Sequence, residues 1–103
     1  MKDTDHQMVF CIVNAGHSQT VIEAAREAGA KGGTVIHGRG TANKEAEKIF
    51  HIVVQPDKEI IMILVEKSIK DAVLLALNKA AGLDTAGQGI AFSMPVDKVI
   101  GLS

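Results

Sequence analysis

The sequence predicts an α+β fold, a single domain of ferredoxin-like βαββαβ order built on one antiparallel sheet. Three observations lead there. Short apolar runs rich in β-branched residues are separated by two segments of helical periodicity, in the order strand, helix, strand, strand, helix, strand. The chain has 103 residues, enough for one domain with a modest core. Two of the apolar runs are continuous rather than alternating, so both faces of the sheet should be covered.

Each element has its own warrant. Residues 1–7 are polar and are expected as a frayed start. Residues 8–13 form the first strand. Asn14 to His17 is a turn. Val21, Ile22, Ala25 and Ala28 then recur at helical spacing, with Thr20 and Glu23, or Ser18, as candidate caps. Gly29 and the pair Gly32-Gly33 end that helix. Residues 34–37 are a second strand, broken by Gly38-Arg39-Gly40, and residues 41–48 are polar without apolar period. Strand character resumes over residues 49–54. Pro56 and Asp57 mark a turn, and residues 59–65 are the strongest strand. Ser68 with Asp71 resembles a capping box ahead of a helix with Ile69, Ala72, Val73, Ala76, Leu77 and Ala80 on one face. Gly82 stops it. A loop over residues 83–89 leads to a strand over residues 90–94, which Pro95 ends, and residues 96–102 form a short apolar tail.

Composition narrows the function. Hydrophobic residues are 47% of the chain and charged residues 22%, which argues against disorder. Three Phe and no Trp or Tyr leave too few stacking platforms for a single-strand nucleic-acid reader. The net charge of -1 argues equally against a phosphate-backbone binder, so no nucleic-acid partner is expected. The lone Cys11 lies in an apolar run and reads as a buried, reduced thiol. The chain carries no recognisable signal peptide and no apolar stretch of membrane-spanning length, so a cytoplasmic protein, not itself membrane-inserted, is expected. No Gly-x-Ser-x-Gly and no Cys/His spacing supports nucleophilic catalysis, and the expectation is a protein that is not an enzyme. The continuous strands need a cover that this chain does not contain, and self-association through the open sheet face supplies it.

Several short motifs, in order, resemble the PII signal-transduction family. Gly32-Gly33-Thr34-Val35 looks like that family's Gly-x-Thr-Val strand, and Gly38-Arg39-Gly40 like the Gly-Phe-Gly at the base of its long T-loop. Pro56 and the strand to Val65 look like the return arm of that loop. Gly87-Gln88-Gly89 with Phe92 resembles the family's Gly-Asp-Gly-Lys-Ile-Phe, and residues 96–102 match its closing strand. The likeness covers about residues 8–102. It implies a homotrimer that binds adenine nucleotides in clefts between subunits. It also implies a T-loop-like excursion, here residues 38–55, that docks on a partner enzyme, channel or transporter.

The resemblance, joined to the residues, nominates a nucleotide-binding set: Gly33, Thr34, Gly38, Arg39, Gly40, Leu64, Gly87, Gln88, Gly89 and Ile90. Successive glycine N–H groups at 87–89 can turn inward as an anion nest. On that reading Gly89→Asp should weaken binding without unfolding the protein. Arg39 can meet a phosphate or an acidic partner with its planar fork. Thr34 and Leu64 match positions near the adenine, yet serve equally well as plain strand residues. The family's phosphate-binding Lys before the Gly-Asp-Gly is missing, as is its closing Arg-x-Arg, where this chain reads Gly101-Leu102-Ser103. Loss of those charges tilts the expected effector from ATP toward AMP, ADP or cyclic AMP. The absence of Tyr excludes control by tyrosine nucleotidylation. The run from Lys44 to Lys48 reads as a solvated charged turn or a docking surface. No obligatory cofactor is expected. His37 and His51 could face each other, but no Cys or acid at ligand spacing joins them, so no metal site is assigned. A CutA-type metal-binding trimer, which shares the frame, is the alternative.

Overall fold

A computed structural model describes residues 2–41, 57–83 and 89–101. Strand β1 (Lys2–Asn14) leads into helix α1 (Ser18–Glu27), strand β2 (Thr34–Arg39) and strand β3 (Asp57–Glu66). A 3-10 turn (Lys67–Ile69), helix α2 (Lys70–Ala81) and strand β4 (Gly89–Val99) complete the order. The four strands form one sheet in the order β2-β3-β1-β4, and every neighbouring pair is antiparallel. This is the ferredoxin-like arrangement expected from the sequence.

Register explains the continuous apolar strands. Val9, Cys11 and Val13 on β1 and Ile61, Ile63 and Val65 on β3 point to one face and are buried there. Val21 and Ala25 of α1 and Val73 and Leu77 of α2 close over them. The residues between, Met8, Phe10 and Ile12 on β1 and Ile60, Met62 and Leu64 on β3, point to the other face. Ile36 on β2 and Ile90, Phe92 and Met94 on β4 extend that second face to both edges, and they are 43, 57, 40 and 49% exposed. Phe10 and Phe92, opposite each other, stack at 5.2 Å between ring centres. Both helices sit on the first face, and no described element of the chain covers the second.

Several element ends differ from the sequence reading. β1 starts at Lys2, because residues expected to fray pair with β4 as far out as Val99, past an irregularity between Asp3 and His6. β2 runs through Gly38 to Arg39, which pair with Lys58 and Asp57. β4 continues through Pro95, which needs no ladder N–H on an outermost strand. Neither helix carries the expected side-chain cap. Thr20 lies inside α1, and Glu23 instead accepts a hydrogen bond from Gln19 Nε2 at 3.1 Å. The face of α2 is narrower than expected: Val73 and Leu77 are buried, whereas Ala72 and Ala80 are exposed. The strand expected over residues 49–54 lies outside the described residues.

Candidate functional site

Those of the nominated residues that the structure describes fall on or beside the two outer strands and on β3. Gly33 directly precedes β2, where a Cβ would stand 3.0 Å from the Met62 carbonyl oxygen and from Ile63 Cγ1. Thr34 opens β2 opposite Met62 and is exposed. Leu64 lies two residues further along β3 on the same face, so Thr34 and Leu64 are diagonal neighbours. Leu64 also lines a hollow of about 310 Å³ with His6, Lys31 and Glu66. Gly38 and Arg39 lie at the other end of β2, opposite Lys58 and Asp57, and Gly40 follows them. Gly89 and Ile90 open β4, opposite Val13 and Ile12 of β1. They line a hollow of about 330 Å³ with Leu74, Asn78, Leu83 and Ala91. Gly87, Gln88, His51 and residues 42–55 of the excursion lie outside the described residues.

The set therefore does not converge within one chain. One row across the sheet reads Gly89, Val13, Glu59, His37, and the next reads Ile90, Ile12, Ile60, Ile36. Gly89 and the end of β2 share a level but sit on opposite edges, about 14 Å apart at ~4.8 Å per strand spacing. Within the described residues, the nominated groups of β2 and of β4 therefore do not come together.

Gly89 has a structural duty that its place in a glycine motif did not reveal. Its φ is +142°, and a Cβ there would lie 2.2 Å from the Ile12 carbonyl oxygen. The expectation that Gly89→Asp would leave the fold intact is corrected: any side chain collides with β1. Gly38 differs, since a Cβ would meet only the far end of Ile60 at 3.3 Å.

Sequence reasoning missed Glu59. It is 7% exposed, the one buried charged residue among those described. Its carboxylate accepts the Gly16 N–H, and the N–H and hydroxyl of Ser18 favour its charged form. Glu59 thus ties β3 to the turn that leads into α1. The Gly16 bond, opposed by burial and aided by Ser18 and the field of His37, holds its carboxyl below the ordinary glutamate range. The signal was present as an acid at an inward-facing position of an apolar strand. Among the described residues no group of three metal-ligating side chains comes together. A larger hollow of about 740 Å³, lined by Asp5, His6, Glu66, Lys67 and Ser68, contains none of the nominated residues.

A two-helix layer on a four-stranded antiparallel sheet, its other face apolar, defines the class of small ferredoxin-like α+β domains. The model of the nitrogen regulatory protein P-II family matches residues 6–103, and the chain belongs to that family. The structure is similar to that of PII from Arabidopsis thaliana bound to citrate, with 28% identity and a TM-score of 0.71 over 95% of this chain and 81% of that one. It is similar in fold to a putative PII-like signaling protein from Thermus thermophilus, at 17% identity and a TM-score of 0.69, covering 93% of this chain and 90% of that one. The CPII protein of Thiomonas intermedia, bound to ADP, AMP and acetate, matches at 15% identity and a TM-score of 0.70 over 97% and 94% of the two chains. No curated protein matches the sequence. Among the described residues no helix is long and apolar enough to cross a membrane.

Proposed function

We propose that this P-II family member is a regulatory binding protein, not an enzyme, that works as a homotrimer. It senses a small effector, an adenine nucleotide of the AMP, ADP or cyclic AMP type rather than ATP, in clefts between neighbouring copies. The effector's arrival alters how residues 38–55 dock on a partner enzyme, channel or transporter. The observation that carries this reading is the division of the nominated residues between the two outer strands. Thr34, Gly38, Arg39 and Gly40 of one copy and Gly89 and Ile90 of the next can flank one ligand. Gly33 and Leu64 back the first half of that cleft. The apolar second face, with Ile36, Ile90, Phe92 and Met94 exposed, is the surface on which copies associate. The choice of nucleotide draws on the ADP- and AMP-bound Thiomonas protein of similar fold and on the missing phosphate-binding Lys and Arg-x-Arg.

Sedimentation and thermal-shift screening test the reading together. A trimer stabilised by AMP, ADP or cyclic AMP, and less by ATP, is the expected result. Stabilisation by divalent metal alone would favour the CutA-type alternative. A monomer at micromolar concentration would sink the intersubunit cleft altogether.

A further inference from the structure

Three bonds tie the turn after β1 to the first residues of β3. The Ala15 N–H donates to the Asp57 carbonyl oxygen at 3.0 Å, extending the β1–β3 ladder into the turn. Lys58 Nζ donates to Asn14 Oδ1 on the second sheet face. On the first face Glu59 accepts from Gly16, and Ser18 adds to what favours its charge. The first two bonds join strand to strand. The third ties β3 to the turn that leads into α1, one residue ahead of the N-cap His17, and no side chain of that turn caps the N–H groups at the start of the helix.

We propose that Glu59 is a latch that locks the re-entry of the chain into β3 to the first turn of α1, so that residues 57–59 and 14–18 open and close as one unit. A carboxylate suits this task better than a neutral acceptor. It holds the Gly16 N–H by a charge-assisted bond, and its negative charge lies at the positive end of α1, where Ser18 favours it. The titratable groups nearest in register or in sequence are His37 opposite on β2, His17 in the turn, and Asp57 and Lys58 on β3. His37 adds a favourable field. Displacement of the start of β3 therefore releases the turn that leads into α1, and fraying of α1 frees the start of β3. Glu59 is a positioning residue in this role and touches no ligand.

The test is amide exchange and a pH titration by NMR on the full chain, with Glu59→Gln as the variant. Gln keeps the shape but offers one carbonyl oxygen and no charge. In the wild type the Gly16 and Ser18 amide signals should titrate together at a pH below the ordinary glutamate range, and Gln should abolish that titration. Exchange should rise roughly tenfold, as local opening does, at residues 16–21 and 57–60 together, with Val73 and Leu77 unchanged. Three results overturn the latch: a Gly16 signal that does not titrate, exchange that rises in only one of the two segments, or exchange that rises equally at Val73 and Leu77. The wild-type titration stands alone should the variant fail to fold.

Discussion

At the scale of single residues, two buried groups behave in opposite ways for one reason each. Glu59 is buried but surrounded by donors, so its charged form is favoured. Its folded-state pKa lies below its unfolded value, so it stabilises the fold above the unfolded pKa. That contribution falls away as pH drops through the folded value. Acid unfolding monitored by circular dichroism should begin below pH ~4.3, the ordinary glutamate value, and Glu59→Gln should flatten this part of the curve. Cys11 has burial and no compensating donor, which pushes its thiol up to about 11. It should resist a thiol reagent at pH 8 in the native protein and react at once in denaturant. Rapid native-state labelling would contradict its place in the core. Cys11 was legible in the sequence, because an apolar run around a lone cysteine is itself a burial signal. For Glu59 only the position was legible, as an acid facing inward on an apolar strand, and not its partner, because the donor comes from a turn forty-odd positions away.

At the scale of elements, glycines divide by what lies next to them. Gly82 ends α2 in the left-handed region, at φ 62° and ψ 41°, with its N–H on the Asn78 carbonyl at 2.9 Å. Gly82→Ala should cost about 1–2 kcal/mol, the ordinary penalty of that conformation for a residue with a Cβ. Gly89→Ala should cost more, about 3 kcal/mol or above, because it forces a backbone collision and not only a strained dihedral. Chemical denaturation of the two variants separates the cases, and equal losses would show that β1 yields to the Gly89 side chain. The sequence marks both as breakers, and Gly82 could be assigned from its place after a helical period. The strand neighbour of Gly89 is set by β1–β4 register, which no local pattern encodes. The strand ends follow the same logic: Gly38, Arg39 and Pro95 looked like terminators, and each is held in a strand by its partner across the sheet.

At the scale of the whole molecule, the proposed trimer turns on the second sheet face, which no described element of the chain covers. Burying the exposed half of the Met94 side chain in a neighbouring copy is worth about 1 kcal/mol, some half of the value for full burial. Met94 lies on an outermost strand and is 49% exposed in the single chain. Met94→Lys should therefore leave the thermal unfolding of the isolated chain nearly unchanged while shifting sedimentation from trimer toward monomer. A variant that stays trimeric would move the contact to another surface. The same variant should weaken nucleotide binding, since the proposed cleft needs two copies.

The sequence by itself determined the element order, the two helix axes along Val21–Ala25 and Val73–Leu77, and the double-sided character of β1 and β3. Each of these is written in the spacing of apolar residues, which is local. Only the tertiary structure decided that β2 and β4 are the outer strands, and so that the nominated residues lie on opposite edges. It also decided that Glu59 accepts the N–H of Gly16 in the turn before α1 and that Gly89 is needed by β1. These depend on which strands pair and in what register, a property of contacts between distant segments that no window of the sequence contains.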